Sequence, residues 1–240
     1  MWDKPAALTV LANALFAVAG AAIVAMVLLL VARLPLFAVR EVTVLGSLAH
    51  VTRAQVEAVV RGELRGTFFT LSLDASREAF EKLPWVRGVS VRRRWPARLE
   101  VELEEHVALA RWGDEALIDT HGQIFTAASD ERLAVLTGPD TAPREVAEHY
   151  VRFRDTLAPL GKEIAAVDLS ERGAWRVRLA DGMTLELGRA QVLPRLERFT
   201  AAYAASVALM REPPTYVDLR YPNGFAVRVR DPKSSANRKA

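Results

Sequence analysis

Histidine is the side chain best suited to proton transfer and metal binding near neutral pH, and the sequence holds four: His50, His106, His121 and His149. No two of them lie three or four residues apart, so no helix presents the histidine pair of a zinc peptidase. Glu104-Glu105-His106 is the densest titratable run, and it falls where a hairpin strand ends. Asp119 and His121 lie in a turn, where aspartate commonly accepts hydrogen bonds from backbone amides. The chain has no cysteine, which excludes a thiol nucleophile, disulfides and cysteine-based zinc sites. Neither a Gly-x-Ser-x-Gly elbow nor a phosphate-cradling Gly-x-x-x-x-Gly-Lys run occurs. Arg92-Arg93-Arg94 could hold a phosphate, but pairing with the glutamates of a facing strand is the simpler reading. These residue types nominate no enzyme, cofactor, metal or small-molecule substrate.

The charge balance points the same way. Thirty-two basic residues stand against 29 acidic, a net charge of +3, which describes a mixed surface rather than a polycation. Nucleic-acid binding would gather basic residues and stacking aromatics on one face; the sequence offers no such stretch. What remains is binding to other proteins, and that depends on the elements that carry the side chains.

The chain is organised around Ala6–Ala32, which contains no Asp, Glu, Lys, Arg or His. A helix crosses a hydrocarbon core of about 30 Å with about 20 apolar residues. A cleaved signal would carry a shorter apolar core and a small-residue cleavage site; here the run ends Leu28-Leu29-Leu30-Val31. We therefore expect a retained membrane anchor. The few charges flanking it leave its orientation open. A tail (1–5) precedes it and a short linker (33–36) follows.

Phe37–Gly46 reads as a strand whose apolar positions change parity, which a bulge near Arg40-Glu41 would reconcile. Thr52 and Gln55 form a capping box for a helix burying Val56, Val59, Val60 and Leu64. Asp74 is the expected N-cap of a second helix carrying Ala79, Phe80 and Leu83, stopped by Pro84. A hairpin then turns at Pro96-Ala97, with Leu99, Val101 and Leu103 on one face. Farther on, short strands are expected at 108–112, 116–118 and 133–136, then a helix over 144–160 burying Val146, Tyr150, Phe153 and Leu157. Strands at 166–170, 175–179 and 184–187 follow, the last two joined through Asp181-Gly182. A helix over 192–210 leads to two closing strands, Tyr216–Tyr221 and Phe225–Arg230, around Pro222-Asn223. Residues 231–240 are polar and expected to be disordered. The last strand has no later strand to cover it, so its edge is a place where another chain can pair.

Three segments carry a resemblance. Phe37-x-Val39-x-x-Val42-x-Val44-x-Gly46, Leu83-Pro84-Trp85-Val86, and Arg94-Trp95-Pro96 with Leu99-x-Val101 resemble a POTRA domain. Behind a retained span, and followed by Ile118-Asp119-Thr120-His121-Gly122 and Tyr216–Tyr221, they resemble the FtsQ/DivIB family of bacterial cell-division proteins. The resemblance implies an α+β fold: a single transmembrane helix (6–32), a β-α-α-β-β POTRA domain (37–106), and a mixed β-sheet domain with flanking helices (107–230). It implies a scaffold that is not an enzyme. The amino terminus would be cytoplasmic and the bulk of the chain periplasmic, at the inner membrane of the division septum. It further implies that the scaffold is essential, joins early to late division proteins and controls divisome assembly. The implied partners are FtsB and FtsL, bound through the C-terminal edge, with other divisome proteins reached through the POTRA domain. Carried over by position, Arg220 and Tyr221 would contact FtsB, Arg172 would pair with an acidic residue, and Asn223, Phe225, Val227 and Val229 would line the added strand. Arg228-Val229 departs from the glycine-tryptophan common in the family. Two other classes compete with it: a POTRA-bearing transport or outer-membrane assembly component, for which the chain lacks repeated units and room for a barrel, and a membrane-tethered hydrolase resting on Glu105 and His106.

Overall fold

The computed structural model describes residues 5–229; Arg230, the expected disordered tail 231–240 and residues 1–4 of the expected leading tail lie outside the described residues. The chain divides into two compact units after Glu105.

In the first unit, α1 (Pro5–Ala32) is one continuous helix. Its Thr9–Ala32 stretch is long and apolar enough to cross a membrane, and none of it is buried in protein. A 3-10 turn over Pro35–Phe37 follows, and Ala38 forms an isolated bridge with Thr67. The strand expected from Phe37 begins later, as β1 (Glu41–Leu45). The parity change therefore comes from this turn and bridge. No bulge lies near Arg40-Glu41, since β1 pairs without a shift from Glu41 to Leu45.

The expected capping box of Thr52 and Gln55 opens α2 (Arg53–Glu63), of which Val56 alone is buried; Val59, Val60 and Leu64 are half-buried. For α3 (Leu73–Glu81) the cap is Ser72, not Asp74: Ser72 Oγ accepts the Ala75 amide at 3.2 Å. Asp74 sits inside the first turn, where a carboxylate favours the positive end of the helix dipole. Strands β2 (Val86–Arg94) and β3 (Arg98–Glu105) form the hairpin, and β1 lies parallel to β3, giving the order β1-β3-β2. Leu99, Val101 and Leu103 are buried, as are Ala79 and Phe80 of α3.

The arginine triplet is fully engaged. Arg92 meets Glu102 at 2.9 Å, Arg94 meets Glu100 at 3.0 Å, and Arg93 donates to the Leu71 carbonyl at 2.5 Å. Glu104 pairs with Arg87 across the hairpin. Glu105 accepts three successive amides, Ala49 at 2.9 Å, His50 at 3.1 Å and Val51 at 2.6 Å, and meets His50 Nδ1 at 3.3 Å. Burial pushes this carboxyl up. The Val51, Ala49 and His50 amides and the His50 ring outweigh it, so its pKa lies below the ordinary value. The His50 ring stacks on Trp85 with centroids 3.7 Å apart. Glu105 thus ties the loop entering α2 to the end of β3.

The second unit is built on a nine-stranded mixed sheet. Its strands are β4 (Ala108–Trp112), β5 (Ala116–Asp119), β6 (Ile124–Phe125), β7 (Val135–Thr137), β8 (Ile164–Leu169), β9 (Trp175–Leu179), β10 (Thr184–Gly188), β11 (Pro214–Asp218) and β12 (Ala226–Val229), in the spatial order β12-β11-β10-β9-β8-β7-β4-β5-β6. Two helices, α4 (Pro143–Leu157) and α5 (Val192–Tyr203), supply Val146, Phe153, Leu157, Leu196 and Phe199 to the core. A row of residues in register crosses the sheet: Leu136, Val167, Val177, Leu185 and Val217, all fully buried. The helix expected to reach Met210 stops at Tyr203. Ser206 Oγ bonds the Ala202 carbonyl at 2.5 Å, and a 3-10 turn over Val207–Leu209 sends Val207 into the core. Between β10 and β11 the chain crosses over through α5, so those two strands pair in parallel.

Replacing Glu105 with Gln should loosen the 49–51 segment, because one neutral amide oxygen cannot satisfy three amides as a carboxylate does. Exchange of the Ala49, His50 and Val51 amides should quicken about tenfold or more, equivalent to about 1.4 kcal/mol or above. Hydrogen exchange on the full chain in detergent measures this; unchanged protection would refute the role.

Candidate partner-binding edge

β12 ends the sheet and, among the described residues, has β11 as its one neighbour. In a strand, successive residues turn their N–H and C=O groups to opposite sides. The Arg228 carbonyl faces β11, since it accepts from Thr215 Oγ1 at 3.3 Å. The backbone groups of Val227 and Val229 therefore point away from the sheet. Their side chains share the face of the apolar row: Val227 is in register with Val217. Both valines are 39% exposed, so the row runs past the cover of the helices and ends in the open. Phe225, expected to open this strand, lies just before it, half-buried with its ring 5.6 Å from that of Phe199.

The end of the sheet where β11 stops is the more polar region. Arg220 grips Asp218 with two parallel bonds, Nε to Oδ1 at 2.9 Å and Nη2 to Oδ2 at 2.6 Å, and its amide adds a third to Oδ1 at 3.0 Å. These bonds hold the Asp218 carboxyl below the ordinary carboxylate range and the guanidinium above its own ordinary value. Gly188 makes room for this, with a φ of +75°; a Cβ there would meet Arg195 Nη1 at 3.0 Å and Arg220 Cγ at 3.1 Å. Arg195 donates to the Leu187 carbonyl at 2.6 Å, and Arg198 donates to the Pro222 carbonyl. Helix α5 thus fixes the turn that exposes Tyr221 and Asn223. On this face Asp168, Arg176, Glu186 and Asp218 stand in register across four strands, with Arg176 bonded to Glu186 at 2.9 Å.

Arg172 sits in the tight turn between β8 and β9, closed by Gly173 N to Ser170 O at 2.8 Å. Its side chain is exposed and makes no hydrogen bond or ion pair with the described residues. Register places it at the same end of the sheet: Trp175 is opposite Gly188, and Glu186 is opposite Asp218, which is opposite Ala226. Three strand spacings, about 14 Å at about 4.8 Å each, separate β9 from β12. Arg172, Arg220, Tyr221, Asn223 and Phe225 thus lie at one end of the sheet, and Val227 and Val229 run down its edge from there.

The titratable residues elsewhere are separately engaged. His106 Nδ1 meets Asp119 Oδ2 at 2.8 Å, and the ring stacks on Phe125. Asp119, fully buried, also accepts the His121 and Gln123 amides at 2.8 Å each. His149 lies against Trp175, with Nδ1 3.0 Å from the Glu145 carbonyl oxygen. Glu104, Glu105 and His106 are drawn to three different partners, and among the described residues no group of three or more His, Cys, Asp or Glu could hold a metal. Sequence reasoning missed Asp218, Gly188 and Arg198 as the supports of the Arg220-Tyr221 corner. Asp218 carried a signal, as an aspartate two residues before an arginine at a strand end. Arg198 carried none, because its partner is a backbone carbonyl.

Comparison with known proteins follows this architecture along the chain. A family model described as POTRA domain, FtsQ-type, matches residues 37–106, and one described as Cell division protein FtsQ/DivIB, C-terminal, matches residues 110–220. The chain is 45% identical over 233 residues to Cell division protein FtsQ of Nitrosospira multiformis, covering 95% of this chain and 99% of the relative. It is 40% identical to the protein of the same name from Burkholderia pseudomallei, covering 95% and 94%, and 35% identical to that from Bordetella pertussis, covering 95% and 92%.

Asp218 has a depressed pKa in the fold, so its grip on Arg220 is fully present above the ordinary aspartate value of about 4 and is lost as pH falls through the lower folded value. The Arg220 Nε–H should therefore exchange more slowly than a free arginine side chain at the same pH, by a factor that stays constant between about pH 5 and 8. Asp218→Asn should give fast exchange across that range. Side-chain arginine NMR measures both; a slow Nε–H in the variant would refute the grip.

Proposed function

Because the chain belongs to the FtsQ/DivIB family of bacterial cell-division proteins, we propose that it is a single-span inner-membrane scaffold of the divisome. On this reading, domains 37–106 and 107–230 hang in the periplasm from α1, and the amino terminus stays in the cytosol. Its work is to hold other division proteins together at the septum, with no reaction of its own.

The partner we propose for the second domain is an extended segment of FtsB, which brings FtsL with it. The observation that carries this reading is the outward-facing backbone of Val227 and Val229 on a strand with one neighbour. A strand laid there would gain main-chain hydrogen bonds for affinity and apolar contact with both valines for register. Arg220 suits an acidic residue of the incoming chain. Asp218 occupies Nε and Nη2 of its guanidinium, and Nη1 makes no bond among the described residues and remains available as a charged donor. Arg172 offers a second guanidinium at the same end. Tyr221 and Asn223 would border the path. Here Val229 supplies a smaller apolar contact than the tryptophan common in the family. The first domain would recruit the protein to the division site.

Tyr221→Ala and Arg220→Glu should each weaken capture of FtsB by about tenfold or more, the scale of aromatic and arginine anchors in interfaces, with circular dichroism unchanged. Val227→Pro removes an amide that faces away from β11, so it should abolish capture while the fold survives. Pull-down of the purified full chain against FtsB reads all three; undiminished capture by Val227→Pro would refute the edge. A carboxyl-terminal reporter active in the cytosol would refute the orientation.

A further inference from the structure

The first unit carries an aromatic patch at the point where α1 ends. Thr67 Oγ1 donates to the carbonyl of Ala32, the last residue of α1, at 2.6 Å, and the Phe68 amide donates to the Phe37 carbonyl at 2.6 Å. These bonds hold the 67–69 segment against the helix end. From there the rings run in contact: Phe37 to Phe69 at 5.1 Å, Phe69 to Phe68 at 5.3 Å, and Phe68 to Trp95 at 5.9 Å. Only Phe68 of the last three is buried; Phe69 is 50% exposed, Trp95 72%, and Leu36 in the connecting turn 71%. Trp95 sits in the turn between β2 and β3, and that turn is tied to the same place by the Arg40 amide, which donates to the Ala97 carbonyl at 2.9 Å.

The arginines of this unit divide by position. Arg53, Arg61, Arg77, Arg87, Arg92, Arg94 and Arg98 form ion pairs, and Arg93 bonds a backbone carbonyl. Arg33, Arg40 and Arg65 have no side-chain hydrogen bond or ion pair among the described residues, and all three are exposed. Arg33 follows α1 directly, Arg40 is held beside the Trp95 turn, and Arg65 stands two residues before Thr67. The arginines without partners are therefore those placed around the aromatic patch.

We propose that this face of the first unit rests on the lipid bilayer, with Leu36, Phe69 and Trp95 seated at headgroup depth and Arg33, Arg40 and Arg65 bound to anionic lipid phosphates. The proposal rests on α1 being a retained membrane span, which fixes where the bilayer surface must be. Its headgroup zone meets the helix at Ala32, the residue Thr67 is bonded to. Aromatic rings with exposed edges are stable at that depth, and guanidinium groups attract anionic phosphates within a screening length of the surface. Phe68 buries one face of the patch, so the exposed rings are presented from a supported platform.

The chain has no cysteine, so single cysteines accept a spin label cleanly. In nanodiscs containing phosphatidylglycerol, labels at Phe69→Cys and Trp95→Cys should collide several-fold less with a water-soluble relaxant than one at Glu104→Cys, which lies about 20 Å along the β3 strand from the turn at about 3.3 Å per residue. Val24→Cys, in mid-α1, should be fully shielded. Zwitterionic discs, or replacement of Arg33, Arg40 and Arg65 together by Gln, should bring the 69 and 95 labels toward the Glu104 level; shielding unaffected by either would overturn the role of the arginines. With the Val24 label in the hydrocarbon core, wet labels at 69 and 95 would overturn the docking alone. Labels wet in nanodiscs yet shielded in native membranes would overturn it in favour of a protein partner. A wet label at Val24 would overturn the span, and the docking with it.

Discussion

A sheet that ends on a strand with one neighbour leaves half of that strand's backbone donors and acceptors without a partner among the described residues. Water can satisfy them, and so can another extended chain. Five strands, β7 to β11, are crossed by the buried row from Leu136 to Val217 and covered by the helices above it. β12 carries the row outward to Val227, which is exposed. Polar hydrogen bonding and apolar surface are thus offered along the same line. The charged corner at Asp218-Arg220 lies at one end of that line and gives it a direction.

The same sheet manages its other face by charge. Asp168, Arg176, Glu186 and Asp218 form a row of mixed sign in register, and each acidic neighbour has an arginine beside it. Glu186 and Asp218 would repel as adjacent carboxylates on parallel strands; Arg176 on one side and Arg220 on the other neutralise them. Tyr216 continues this face toward β12, where Arg228 lies 5.4 Å from its ring centre. An arginine at that position deters indiscriminate pairing of the edge while leaving the outward amides accessible.

Much of this could be read from residue spacing because periodicity reports burial. Trp175, Val177 and Leu179 alternate with Arg176 and Arg178, and the strand runs over those residues as expected. Tyr150, Phe153 and Leu157 recur at helical spacing and are buried on one face of α4. Local chemistry that depends on distant partners was less legible. Ser72 and Asp74 are both good caps by type; the chain chose Ser72 because Asp74 already lies within the turn. The phase change after Phe37 has a non-local origin, the bridge between Ala38 and Thr67, which no window of adjacent residues contains. Glu105 looked like part of an acidic cluster, yet its carboxylate serves amides more than fifty positions away. At the C-terminal corner, Arg220, Tyr221 and Arg172 were reached through family resemblance. Their shared location at one end of the sheet required the register of β9, β10 and β11.

The crossover through α5 has a consequence for the order of assembly. Hairpins such as β8–β9 and β9–β10 close through turns of a few residues, whereas β11 reaches β10 across the intervening helix α5, and β12 is attached to the sheet through β11. Non-local pairing of this kind is slow relative to hairpin closure. β12 joins the sheet through β11, so its place at the edge depends on that non-local pairing. On the proposed reading of this edge, a chain whose α5 has not yet seated would offer a partner strand no finished sheet to extend.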